Sequence, residues 1–415
     1  MGKKNLLDRT LYTILIIFMY YIILNPKGYI AGTFKGNYYL FVLLILAFVL
    51  TLIVNPKKLL VSRHTAFKIH FLLFCICYLF FVNMFLGLIK GNNFLYIIDD
   101  VNGYLFAICS IIFLYLFKNG FEYKDIFKHY VIASSIVAIL YIVIVFSFIF
   151  STTSFLKISN FISVTGMGSI LPYGNFIRIF LKNSIYCMIT SLITLITYFR
   201  LKNKILISIS ILNMIPVILS FARGMWIAYL LTLVIYLFEN FISFKTFKIN
   251  KKKLQICIIF FVILFILGNQ AIIKERFLTI FSRSDIGNNI KINQIEYTMH
   301  IFKNNIIFGA GAGYEYNDPR GKSYAIEVTY NDCLAKYGLV GFLILILFLS
   351  YPLIYGFILA RRKLKKNSLV YASFYAYVAL LIIGGTNPFL LSSLGMLSIS
   401  MIYGLILCDG DFKNG

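Results

Sequence analysis

Glu327-Val-Thr-Tyr330-Asn331-Asp332-Cys-Leu334-Ala-Lys336-Tyr337-Gly338-Leu-Val-Gly341 is a polar stretch that passes into an uncharged apolar run lasting to Ala360. The basic cluster Arg361, Arg362, Lys363, Lys365 and Lys366 follows at once. A run of that length, rising 1.5 Å per residue as a helix, crosses about 30 Å of hydrocarbon. The cluster behind it marks a cytoplasmic end, because short loops on that side keep their lysines and arginines. The polar stretch ahead of it then lies outside.

The same alternation recurs along the chain. Of the 415 residues 60% are hydrophobic and 13% charged, which defines an integral membrane protein. The two-residue alternation of barrel strands is absent, so helices must satisfy the backbone and the expected fold is all-α and polytopic. About twelve spans are predicted, at roughly 10–25, 38–54, 69–89, 103–118, 129–150, 183–199, 204–220, 225–243, 254–273, 337–360, 369–386 and 389–408. Both termini are then cytoplasmic. On that side fall Lys3, Lys4 and Arg9, then Lys57, Lys58, Arg63 and Lys68, then Lys118, Lys124 and Lys128, then Arg200, Lys202 and Lys204, then the run from Lys245 to Lys253. The first apolar stretch leads into Asn25-Pro26 rather than a small-residue cleavage site, so it is expected to remain as a span. With neither a fixed-period repeat nor a low-complexity linker, residues 1–415 read as a single membrane domain, and residues 274–336 as a large outer loop between the ninth and tenth spans.

The net charge of +24 finds no soluble domain to carry a nucleic-acid face, so the inner loops are expected to meet anionic membrane lipid and no nucleic acid. Cys75, Cys77, Cys109, Cys187, Cys257 and Cys408 lie in or at the ends of predicted spans, and Cys333 stands near the outer face without a partner. All read as packing residues. His64, His70, His129 and His300 lack ligand spacing, so neither structural zinc nor another cofactor is expected. Asp99-Asp100 follows the third span, where paired acids sometimes hold a divalent cation. No DxD or further ligand cluster accompanies them, and a solvated turn is expected.

The outer loop concentrates the chemistry. It holds Arg276, Arg283, Arg320 and Glu327, and charges near lipid must be paired or hydrated, which suggests a watery cavity for an anionic ligand. Arg276 and Arg283 fall on one helical face two turns apart, which suits two contacts to an extended anion such as a pyrophosphate, or simply a solvated basic face. The glycines of Ile307-Phe308-Gly309-Ala-Gly311-Ala-Gly313 allow either an anion-holding turn or close packing. Without the flanking strand and helix of a phosphate loop, the tight turn is the favoured reading. In Ser220-Phe-Ala-Arg223-Gly224-Met-Trp226 the arginine either points into a cavity to bind phosphate or snorkels beside an interfacial tryptophan. Arg178, near Gly166, Gly168 and Gly174 in the other sizeable outer loop, either completes a diphosphate or sugar site or anchors its loop. If the stretch from Glu327 is helical, Glu327, Tyr330, Asn331 and Leu334 share one stripe. The carboxylate is then a structural ion pair with arginine or a general base for a hydroxyl.

Arg223-Gly-Met-Trp226, Glu275-Arg276-Phe, Ile307-Phe308-Gly309-Ala-Gly311 and Tyr337-Gly338-Leu-Val-Gly341, in that order, resemble the O-antigen polymerase and ligase superfamily over roughly residues 210–345. The resemblance implies a membrane-embedded glycosyltransferase of the C type, in the cytoplasmic (inner) membrane of a bacterium, with its active site on the outer face. Undecaprenyl-diphosphate-linked glycans would be donor and acceptor, and a chain-length regulator would be a partner protein. Ligases of the superfamily carry a histidine at the head of the helix that ends in Gly-Leu-x-Gly. The matching position here, eleven residues before Gly338, is Glu327, which favours a polymerase. By similarity Arg223 is the arginine of the Arg-Gly-x-Trp signature, and Arg276 or Arg283 the loop arginine for the donor diphosphate. Arg276 also stands eleven residues before Gly287, as in an Arg-x10-Gly pattern of some polymerases. The expected site is Glu327 as base, with Arg178, Arg223, Arg276, Arg283, Arg320, Tyr330 and Asn331 on the substrate. A diphosphate leaves without a proton when fixed guanidinium charge stabilises it, unlike the poor leaving group of a glycoside hydrolase, so a metal-independent, inverting transfer is expected. The alternatives are a ligase passing glycan to a final acceptor and a lipid-linked oligosaccharide flippase or anion carrier. A carrier would place charges within its spans and show paired halves, whereas these spans are nearly free of charge.

Overall fold

Peptide groups inside hydrocarbon find no water, so apolar runs must close their own hydrogen bonds. The structure, a computed structural model, describes residues 5–26, 29–30, 34–59, 61–173, 176–242, 286–318, 321–359 and 368–408. In chain order the elements are α1 (Leu6–Leu24), β1 (Tyr29–Ile30), β2 (Phe34–Lys35), α2 (Gly36–Val54), α3 (Arg63–Ile89), α4 (Phe94–Lys118), α5 (Tyr123–Phe150), α6 (Thr152–Val164), β3 (Gly168–Tyr173), β4 (Phe176–Leu181), α7 (Ser184–Leu201), α8 (Lys204–Leu219) and α9 (Arg223–Ile242). Then come α10 (Ile286–Asn304), β5 (Tyr316–Asp318), β6 (Gly321–Ser323), α11 (Thr329–Leu359), α12 (Ser368–Gly384) and α13 (Ser393–Leu407). The six strands form three antiparallel two-stranded hairpins. The protein is an all-helical polytopic membrane protein, and seven of the described helices are long and apolar enough to cross a bilayer: α1 to α5, α7 and α11. Shorter apolar helices α8, α12 and α13 complete the bundle. Helices occupy the predicted stretches except 254–273, which lies outside the described residues.

Two faces of α5 show how the bundle is sorted. Tyr130, Ala133, Ser134, Val137, Tyr141 and Ile144 are buried, while Ile136, Ile139, Val143 and Phe146 on the opposite face are exposed, as a helix between protein and lipid requires. α7 is the opposite case. Within its most apolar window 83% of residues are buried, against 28% for α2, so α7 is a central helix and α2 a peripheral one. α7 packs against α5, α8 and α12, and α13 packs against α4. Hydroxyl groups join these central helices. Ser134 meets Thr190 at 2.8 Å, Ser191 meets Ser210 at 3.1 Å and Tyr229 at 3.0 Å, and Ser400 donates to the Phe106 carbonyl at 2.9 Å. Each such bond contributes on average about 0.6 kcal/mol in a membrane, so they act as a set.

Gly338 interrupts α11 with φ +65° and ψ −169°. The break releases carbonyls and amides from the helix ladder, and the chain 306–311 takes them up. Ala335 and Lys336 carbonyls accept from the amides of Ala310 at 2.9 Å and Gly311 at 2.8 Å, while the amides of Leu339 and Val340 donate to the carbonyls of Ile306 at 2.8 Å and Ile307 at 3.2 Å. Four peptide groups beside the break thus find backbone partners outside their own helix, as groups inside a bundle must. A Cβ on Gly338 or Gly309 would overlap this backbone, and both have positive φ. The alternating glycines therefore serve close packing, as the tight-turn reading expects. Their amides are spoken for: that of Gly309 donates to the Asn305 carbonyl at 2.9 Å and that of Gly313 to Asp100 at 2.6 Å. Asn92 adds two bonds, to the carbonyls of Ala310 and Ala312.

Candidate functional site

The turn between α8 and α9 is rigid for local reasons. The Ser220 hydroxyl donates to the Val217 carbonyl at 2.8 Å and accepts from the Ala222 amide at 3.2 Å, and Phe221 takes a left-handed φ of +48°. Trp226 donates its indole N–H to the same Val217 carbonyl at 2.8 Å and is buried, at 5% exposure. It braces the turn from inside. Arg223 is thereby fixed at the first residue of α9, half-buried.

Arg178 comes to this same turn from β4, where it pairs in register with Leu171 of β3. Its Nε donates to the Ser220 carbonyl at 3.3 Å, and its guanidinium lies 5.7 Å from the centre of the Phe180 ring. Two arginines from separate loops thus come to one hairpin, and Arg178 ties its strand to that hairpin through the Ser220 carbonyl. A planar cation held by carbonyl and ring keeps its charge and its remaining donors in a fixed orientation.

The start of α11 reaches the hairpin through a third piece of chain, the turn 385–388. A Cβ on Gly224 would overlap the Thr386 hydroxyl and stand 3.1 Å from the Asn387 amide nitrogen, so the glycine lets the turn approach this closely with the Thr386 hydroxyl where it is. On its other side the turn accepts, at the Asn387 carbonyl, the Thr329 hydroxyl at 3.1 Å. Tyr330 donates to the Leu381 carbonyl at 2.7 Å, which ties its phenol to the end of α12. Asn331 follows in the first turn of α11, half-buried.

Glu327 lies ahead of the helix. α11 begins at Thr329, so the stripe expected of Glu327, Tyr330, Asn331 and Leu334 does not include the glutamate. Instead its amide donates to the Gln294 side chain at 3.2 Å, and its carboxylate stands 3.7 Å from the Lys291 ammonium, both on α10. The pair is 30% and 35% exposed, so water screens it and it holds little of the fold. The described ionic neighbour is a lysine, where the sequence pointed to arginines. Arg276, Arg283 and Arg320 lie outside the described residues.

Beside this lies a buried charge network that the sequence reading missed. Lys336, 1% exposed, bridges Asp100 at 2.7 Å and Asp332 at 3.2 Å, and also donates to the Tyr324 carbonyl at 2.5 Å. Tyr316 donates to Asp332 at 2.7 Å, and Tyr324 to Asp99 at 3.2 Å, while Lys35 pairs with Asp99 at 2.7 Å. Burial, then the Asp332 charge, pushes the Tyr316 hydroxyl well above the usual phenol range, and burial with Asp99 does the same at Tyr324. Both phenols stay protonated donors. Asp99 and Asp100 sit within helix α4, not on a solvated turn, and both are engaged by lysines. The network pins β5, β6 and the head of α11 to α4. Only its local pair was legible, because Asp332 and Lys336 are one helical turn apart.

Fold and site together define a polytopic helical membrane protein in which fixed arginines and a carboxylate-bearing segment are assembled from distant loops at one end of the bundle. An O-antigen polymerase of Shigella flexneri is 25% identical to this chain over 328 residues, which is 78% of this chain and 76% of that protein. No family model matches the chain. The chain thus resembles an O-antigen polymerase far beyond the stretch that carries the short motifs.

Proposed function

We propose that the chain is a polysaccharide polymerase of the cytoplasmic membrane, joining undecaprenyl-diphosphate-linked repeat units on the outer face into O-antigen or capsule. The observation that carries this reading is the meeting of Arg178 and Arg223 at one hairpin that abuts, through Thr386 and Asn387, the chain leading back to Glu327. The relative's name agrees with it. The two arginines hold the donor diphosphate, and Arg276, Arg283 and Arg320 add charge from the outer loop that carries Glu327. Glu327 takes the proton of an acceptor hydroxyl as that oxygen bonds to the anomeric carbon of the donor glycan. The bond from that carbon to the diphosphate breaks with its electron pair on the leaving oxygen, and configuration inverts. Fixed cations aimed at the leaving charge lower the barrier without reorganising. No metal is required in this scheme, and excess chelator leaves the rate unchanged.

Glu327→Gln keeps the size and the bond to Gln294, which comes from the backbone, while removing the base. Membranes holding normal amounts of this variant should make no polymer from added lipid-linked repeat. Polymer of ordinary length from that variant overturns the assignment. A ligase is the weaker reading because Glu327 stands where the superfamily's ligases carry histidine.

A further inference from the structure

We propose that the turn 385–388 is a positioning clamp: Thr386 and Asn387 set the distance between the arginine hairpin and the head of α11. The inference rests on the reading of those two groups as the working halves of the site, but its geometry is independent of any reaction. Each half touches the turn: Gly224 of α9 where a Cβ would meet the Thr386 hydroxyl, and Thr329 of α11 through its hydroxyl on the Asn387 carbonyl.

The turn is itself stiff. Asn387 donates from its side chain to the Thr386 hydroxyl at 3.0 Å, which in turn donates to the Ile383 carbonyl at 3.3 Å. The amides of Thr386 and Asn387 both donate to Ile383, each at 3.0 Å, so the turn is an extension of the end of α12. Tyr330 closes the other side, with its hydroxyl on Leu381 and its ring 3.8 Å from where a Cβ on Gly385 would stand. α12 is therefore a post that carries a spacer between the halves. A shift of about 1 Å in such a spacing is enough to lower turnover on the order of a hundredfold. Thr386 and Asn387 are positioning residues, acting through Arg223 and through the segment from Glu327 to Asn331.

Gly224→Ala tests the clamp, since the added methyl drives the Thr386 hydroxyl from its bonds to Ile383 and Asn387 or pushes the turn away. In nanodiscs the variant should show faster hydrogen exchange at the amides of residues 329–332 with an unchanged melting temperature. It should also lose turnover by tenfold or more while its KM for lipid-linked repeat moves less than threefold. Adding Thr386→Ala leaves Asn387 Nδ2 at 3.1 Å and the residue-386 Cβ at 3.3 Å as the nearest atoms, so the double variant should recover both exchange protection and turnover. If Gly224→Ala does not accumulate, Thr329→Val, which cuts the bond to Asn387, is put to the same two measurements. Unchanged exchange at 329–332 overturns the clamp, as does altered exchange with full turnover. Altered exchange in a protein whose wild type does not polymerise lipid-linked repeat upholds the clamp and overturns the proposed function instead.

Discussion

Lys336 shows what one side chain can hold together. It is buried between Asp100 and Asp332, with the Tyr316 hydroxyl donating to Asp332 and the Gly313 amide to Asp100. Lys336→Met leaves two acids facing each other without a cation, and breaking a buried pair in this way costs about 3–5 kcal/mol. The variant should melt markedly lower in detergent, and adding Asp100→Asn should recover part of the loss; a melting point equal to wild type would show that the network is dispensable. Arg178 belongs to the other group of charges. Arg178→Ala removes a charge-assisted contact, so KM for lipid-linked repeat should rise about tenfold, and Arg178→Lys should restore little because a point charge does not keep the planar fork. A KM unchanged in both variants removes Arg178 from the donor side. At this scale the sequence was legible where a motif was local: Arg223 beside Gly224, and the polar stretch that runs into the apolar part of α11. Asp100 with Lys336, or Gly224 with Thr386, could not be read, because nothing in spacing reports which distant segments a bundle brings into contact.

Among the elements, α11 departs most from its sequence reading. A single apolar period runs through it, and only Gly338 hints that the helix is broken there. Glycine is forced by two conditions at once, a positive φ and a neighbouring backbone where a Cβ would stand. Gly338→Ala should therefore abolish accumulation or lower the melting point by an amount corresponding to about 1–3 kcal/mol of strain, and Gly309→Ala should act similarly; wild-type melting in both would contradict the interlocked backbone. The apolar helices were readable from apolar runs alone, but α6 and α10, which are more polar, were not, nor was the burial sorting on α5, where both faces are apolar. The starts were less so. α4 begins at Phe94, roughly nine residues ahead of the predicted span, because a polar helical turn carrying Asp99 and Asp100 is stabilised by partners elsewhere in the chain and leaves no apolar signal.

For the whole molecule, charge asymmetry makes a clean prediction about sidedness. Lys202 lies between α7 and α8 and Lys204 begins α8, while the β5–β6 hairpin precedes α11, the helix that leads on to the basic cluster from Arg361. Under the positive-inside rule a cysteine at Lys202 should react with a membrane-impermeant maleimide only in permeabilised cells, whereas one at Ser323 should react in intact spheroplasts. The reverse pattern would place the site in the cytoplasm and rule out the proposed substrate. The interlocked backbone at Gly309 and Gly338 has one more consequence. Because main chain joins main chain there, residues 314–328 leave and re-enter the bundle at a closed neck, like a pocket sewn shut at its mouth. Changes of length beyond that neck leave it closed, since loop-closure entropy rises only slowly with length. The membrane helices can thus stay as they are while the segment changes at positions other than Tyr316, Tyr324 and Glu327, which are bonded back to α11, α4 and α10.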